Sequence, residues 1–143
     1  MFMGEYQHTI DSKGRVIIPA RFREQLGERF VIALWLDKCL MMVSQDEWQR
    51  ICLNLQQLSS TKKDSRAFTR MLFSSASECE CDKQGRVLIT SKLRSYAILE
   101  KNVSFIGVSN RVEIWSSEIW QGYSEQAEAD FVNSAEKLGD IVF

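Results

Sequence analysis

The stretch "IDSKGRVIIPARFRE", residues 10–24, returns as "CDKQGRVLITSKLRS", residues 81–95, without a gap and at a shift of 71 positions. Asp11, Gly14, Arg15 and Val16 meet identical partners in Asp82, Gly85, Arg86 and Val87. Basic residues recur as Arg21 with Lys92 and Arg23 with Arg94. Further out, after one inserted residue, the match resumes at a shift of 72, where "LDKCLMMVSQDEW" ends on Trp48 and "VSNRVEIWSSEIW" ends on Trp120. Each copy is therefore one structural unit of roughly 45 residues, and two copies are fewer than a solenoid needs. The duplication instead predicts a pseudo-dimer within one chain. Each unit leaves half of a hydrophobic surface uncovered, and fusion completes the core about an approximate two-fold axis that relates Arg15 to Arg86.

Within each unit the pattern reads strand, tight turn, strand, short helix, strand, turn, strand. "YQHTI" and "VIIP" flank "DSKG", where Asp11 can accept from backbone amides ahead of it and Gly14 can take a positive φ without steric cost. Asp82 and Gly85 repeat the arrangement. Pro19 suits the first turn of a helix begun by "PARFREQL", and Thr90 or Ser91 can cap its counterpart "SKLRSYAIL". The β-rich pairs "FVIALW" with "CLMMV" and "VSFIGV" with "VEIW" complete the units. Between the copies, "SQDE" at 44–47 is a capping box that opens a helix with Trp48, Ile51, Leu55 and Leu58 on one side. A second helix carries Ala67, Phe68, Met71 and Leu72 at helical spacing, with Lys62, Lys63, Arg66 and Arg70 largely elsewhere. The stretch 124–139 reads as one acidic helix with Ala127, Phe131, Ala135 and Leu138 apolar and Gly139 as its stop. The expected organisation is a first unit at 5–48, a helical connection at 49–75, a second unit at 76–120 and a C-terminal acidic helix at 121–143, in an α+β fold.

A net charge of −1 argues at first against a nucleic-acid partner, but the sum hides the distribution. The C-terminal segment 121–143 holds one basic and five acidic residues and masks positive charge elsewhere. Lys13, Arg15, Arg21 and Arg23 outnumber Asp11 and Glu24 around the first turn, and Lys83, Arg86, Lys92 and Arg94 stand against Asp82 around the second. Each repeated turn thus lies in a basic island. Arginine geometry suits both phosphate neutralisation and bidentate guanine contacts, so the two turns can present cations to double-stranded DNA, with Asp11 and Asp82 aiming the arginines. The competing reading is that each aspartate pairs with its own arginine four residues on and only steadies the turn.

These residues carry a resemblance. "MFMGEYQHTIDSKGRVIIPARFRE", "DKQGRVLI" and "TKKDSRAFTR" resemble the MraZ family of bacterial transcription regulators, built from two SpoVT-AbrB-type DNA-binding units. Both copies of the family's D-x-x-x-R pattern are present, as Asp11 with Arg15 and Asp82 with Arg86, while Thr90 stands where the first copy has Pro19. The resemblance implies a β-rich barrel of swapped-hairpin type decorated with helices, a ring-shaped homo-oligomer, and binding to repeated boxes upstream of the division and cell-wall gene cluster. It places the DNA-contacting arginines on Arg15 and Arg86. A ring also needs subunit surfaces with apolar residues, for which Phe2, Trp35 and Trp115 are candidates.

Other chemistry finds little support in the sequence. His8 is the sole histidine, and no GxxxxGK[ST], GxGxxG or HExxH motif is present, so neither an enzyme nor a cofactor or metal site is expected. Cys39, Cys52, Cys79 and Cys81 lack CxxC spacing and read as packing residues, with Cys79 and Cys81 pointing to one side of a strand. No apolar run approaches the roughly 18 residues of a membrane helix, and no export signal is visible, which points to a cytoplasmic, nucleoid-associated protein. The alternative function is a protein-interaction module of antitoxin type, in which the acidic segment 121–143 wraps a partner.

Overall fold

The computed structural model describes residues 1–139. The first copy runs β1 (Glu5–Thr9), β2 (Arg15–Ile17), α1 (Ala20–Leu26), β3 (Arg29–Leu34) and β4 (Leu40–Ser44). Two helices follow, α2 (Gln45–Leu55) and α3 (Lys63–Ser75). The second copy repeats the order with β5 (Ser77–Glu80), β6 (Arg86–Leu88), α4 (Ser91–Ala97), β7 (Asn102–Val108) and β8 (Arg111–Ser116), and ends in α5 (Ser117–Ala129) and α6 (Phe131–Lys137). No described helix is long and apolar enough to cross a membrane.

Strand pairing exchanges the copies. Six strands form one antiparallel sheet in the order β1-β7-β8-β4-β3-β5, and β2 pairs with β6 in a separate ribbon. That order is unchanged when each strand is swapped for its repeat equivalent, so the pseudo-two-fold passes between β4 and β8 and through the ribbon. The first strand of each copy hydrogen-bonds the other copy, β1 on β7 and β5 on β3. The α+β class and the two repeats expected from sequence are present. The barrel is not closed by hydrogen bonding: β1 and β5 are the edges of an open sheet, and no strand pair joins them among the described residues.

Alternation along the strands fills both faces of this sheet. Phe30, Ile32, Leu40, Met42, Val103, Phe105, Val112 and Ile114 face the ribbon and α1 and α4, where Val16, Ile18, Phe22, Val87, Ile89 and Leu93 complete the main core. Phe22, fully buried, meets Phe2 and Tyr6 edge-on at centroid distances of 5.7 and 5.2 Å. Each aromatic pair of this kind adds about 0.5–1.5 kcal/mol beyond its burial. Val31, Ala33, Met41 and Val43 face the other way and are covered by Trp48, Ile51, Leu55 and Leu72 from α2 and α3. Cys39, Ile106 and Trp115 form a third cluster with Ile119 and Trp120 of α5. Cys79 and Cys81 both pack against the main core. Burial raises the thiol pKa of all four cysteines. His8 lies edge-on to Phe105 at 6.0 Å.

Several expectations are corrected here. Phe2 and Trp115 belong to the core at 6% and 2% exposure, because Phe2 bridges to Ser109 beside the sheet and Trp115 donates to the buried Glu113 carboxylate at 3.0 Å. Of the three proposed surface aromatics only Trp35 stays half-exposed. The helix opened by the Ser44 cap ends at Leu55, which leaves Leu58 exposed in the turn beyond it. Of the apolar residues along α3 only Leu72 is buried, and Phe68 and Met71 are exposed. The single acidic helix is two, interrupted at Asp130, whose φ of −94° and ψ of 5° lie outside the helical range. Phe131 and Leu138 are exposed, and residues 140–143 of the predicted acidic segment lie outside the described residues.

Candidate nucleic-acid interface

The two repeated turns are built by their aspartates. Asp11 Oδ1 accepts from the backbone amides of Lys13 and Arg15, both at 2.9 Å, and Oδ2 accepts from Arg15 Nε at 3.0 Å. Asp82 does the same, with Oδ1 taking the Gln84 and Arg86 amides at 2.9 Å and Oδ2 taking Arg86 Nε at 2.8 Å. The backbone bond from Arg15 is the main reason that the Asp11 carboxyl lies below its ordinary pKa, and the bond from Arg86 acts likewise on Asp82. The ion pair across each turn is therefore present. It engages Nε alone, and Arg15 finds no protein partner for its Nη groups among the described residues, while Arg86 Nη2 reaches Gln84 Oε1 at 3.4 Å.

A second contact, between the copies, explains the glycines. Gly14 and Gly85 have φ of 86° and 79°. A side chain on Gly14 would overlap the guanidinium of Arg94, and one on Gly85 would overlap that of Arg23. Each copy thus lays an arginine from its short helix over the glycine turn of the other. Arg94 Nη1 also donates to the Ile89 carbonyl. The ladder is reciprocal too, since the Ile18 amide donates to Gly85 at 3.0 Å and the Ile89 amide to Gly14 at 2.9 Å.

The structure consequently divides the eight basic residues singled out in the sequence. Arg15 and Arg86 lie on one face of the β2–β6 ribbon, diagonal to each other across the pseudo-axis. Lys13 and Lys83 are exposed at the turn tips, at non-equivalent positions. Arg21 and Lys92 are exposed in the first turns of α1 and α4. Arg23 and Arg94, half-buried, brace the opposite turn rather than extend from it. Sequence reasoning passed over Ile17 and Leu88, the exposed neighbours of Arg15 and Arg86 on the ribbon. The signal was available: in R-V-I and R-V-L the first and third residues share a face of a strand.

The helix starts differ as expected. Thr90 Oγ1 accepts from the Leu93 amide at 3.4 Å, whereas Pro19 offers no side-chain acceptor to α1. Among the described residues no cluster of three or more His, Cys, Asp or Glu side chains could hold a metal ion.

Comparison with known proteins agrees with the internal repeat. The family model described as "MraZ protein, putative antitoxin-like" matches the chain twice, over residues 1–71 and 72–141. A protein of Caldanaerobacter subterraneus subsp. tengcongensis named "Transcriptional regulator MraZ" is 59% identical over 141 residues, covering 99% of both chains. Proteins of the same name from Thermoanaerobacter sp. (strain X514) and Desulforamulus reducens are 57% and 54% identical, over 99% of this chain and 99% and 100% of their own lengths. With both copies matched and relatives aligned end to end, the chain belongs to the MraZ family.

Proposed function

We propose that this chain is a sequence-specific, double-stranded DNA-binding transcription regulator rather than an enzyme. The observation that carries the reading is the β2–β6 ribbon, which places Arg15 and Arg86 together on one exposed face with the exposed lysines of both turns beside them. The major groove of B-DNA admits a two-stranded ribbon, and its guanine edge accepts a bidentate guanidinium. Asp11 and Asp82 restrain the arginines through Nε and leave for phosphate or base both Nη groups of Arg15 and, beside the long Gln84 contact, the Nη groups of Arg86. The relatives' shared name supports the same role.

In this reading the units at 5–48 and 76–120 form the DNA-binding body. The segments 49–75 and 121–143 serve contacts between copies in a ring-shaped homo-oligomer working in the cytoplasm on the nucleoid. One subunit with about four to eight cations binds weakly at physiological salt, and several tethered subunits on repeated boxes gain by effective concentration. Boxes upstream of the division and cell-wall gene cluster are the proposed target. The test is affinity measured against salt for a duplex carrying repeated boxes. A slope of log K on log salt of about −4 to −7 per engaged subunit is expected, and a flat dependence overturns the proposal.

A protein-interaction role has one observation in its favour, the exposed Phe131 and Val132 of α6 and Leu138 just past its end, in the acidic C-terminal segment. Retention of a stoichiometric basic protein with no affinity for DNA would promote it.

A further inference from the structure

The outward face of the ribbon is a two-by-two array of side chains. Arg15 lies opposite Leu88 and Ile17 opposite Arg86, so the arginines occupy one diagonal and the aliphatic residues the other. Residues on such a diagonal are about 7–8 Å apart. Val16 and Val87 point the opposite way and are 1% and 2% exposed. Ile17 and Leu88, by contrast, are 42% and 54% exposed between cations. Neither is needed by the core, which the valines complete.

A surface that met only phosphates would gain nothing from these two side chains, because phosphate oxygens demand donors. What combines acceptors for guanidinium with an aliphatic contact a few ångströms away is the floor of the major groove, where guanine N7 and O6 neighbour the 5-methyl group of thymine. A ribbon of two strands is narrow enough to reach it. We propose that Ile17 and Leu88 are specificity-determining residues that pack on thymine 5-methyl groups while Arg15 and Arg86 hold the acceptors beside them. The inference rests on the DNA-binding reading above and adds to it which side chains discriminate between bases.

Removing the methyl group tests this directly. The full chain is first used to select duplexes from a random pool, and each thymine of the selected site is then replaced by uracil. Uracil at contacted positions is expected to weaken binding by about 3- to 10-fold, the effect of one lost buried methyl. The double variant Ile17→Ala, Leu88→Ala should bind less discriminately and lose this sensitivity, with the salt slope unchanged. If no thymine is sensitive in the unaltered protein, or if the variant keeps the sensitivity in full, the inference is wrong while steep salt dependence preserves the DNA-binding reading. If no duplex, selected or random, is bound with salt dependence, the broader reading falls with it.

Discussion

The ribbon with its turns and the helices that follow each copy respond oppositely to the pseudo-two-fold. At the ribbon the copies share their framework: the same carboxylate bonds, the same amide ladder, the same arginine over glycine. Past Ser44 and Ser116 they part, since α2 and α3 cover one patch of the sheet while α5 covers another and α6 stands away from the core. The difference teaches that symmetry persists where each copy is the other's surface. There a change in one turn alters the pocket of its twin, whereas the outer helices meet unrelated surroundings. Even within the sheet, Met41 faces Glu113 across the axis, and only the second copy supplies Arg111 and Trp115 to satisfy that carboxylate.

The strongest way to break the likeness is at the glycines. Gly14→Ala and Gly85→Ala should each cost about 2–3 kcal/mol in thermal or denaturant unfolding, from a left-handed alanine plus a displaced arginine. Gly27 also has a positive φ, 83°, but its ψ of −176° and the open space around it make Gly27→Ala a matter of backbone strain alone, about 1–3 kcal/mol. Equal losses at Gly14 and Gly85 would confirm the reciprocity, and a loss at Gly14 that Arg94→Ala does not reduce would remove the arginine contact from the account.

Next come the arginines, read by DNA affinity. Arg15→Ala and Arg86→Ala should each weaken binding by roughly 10-fold or more and leave the melting temperature nearly unchanged, and each lost phosphate contact should lower the salt slope by about 0.9. Unequal effects would mean that the two halves of the ribbon face do not meet equivalent DNA. A smaller effect separates the helix starts. Thr90→Ala should destabilise by about 0.5–1 kcal/mol in chemical denaturation, because a side-chain cap is lost, whereas the first copy has no such bond to lose.

The smallest signal is the acid limb of stability. The carboxyl pKa values of Asp11 and Asp82 are depressed in the folded protein, so their contribution is present above the unfolded carboxylate range, near pH 4, and lost as pH falls through the folded values. Asp11→Asn with Asp82→Asn should flatten the fall in melting temperature below about pH 4. An unaltered acid limb would show that the turns hold without those charges.

How much of this was legible beforehand depends on how far apart the interacting residues are. The turns, the Ser44 cap with Glu47 and the alternating strands are local, and sequence spacing placed them within a residue or two. The gapless repeat around Arg15 and Arg86 announced the pseudo-axis as well. The exchange of strands was not readable from residue spacing, because β1 pairs β7 and β5 pairs β3 across long separations that no periodicity encodes. For the same reason Arg23 and Arg94 looked like surface cations, when each guanidinium rests on a glycine some 60 to 80 positions away. Apolar spacing along α3 marks one side of a helix, yet a regular stripe does not reveal how wide the covering sheet is. The interruption at Asp130 was not legible because the apolar spacing Ala127, Phe131, Ala135, Leu138 runs on across it.

The exchanged strands also govern how the chain is born. A ribosome adding about 5–20 residues per second delivers β7 roughly 5 to 20 seconds after β1 has emerged, and during that interval β1 has no native strand partner. On a polysome, adjacent nascent chains hold unpaired copies of the same strand close together. The spacing of ribosomes on the message thereby becomes a determinant of whether a first copy closes on its own second copy or on a neighbour's.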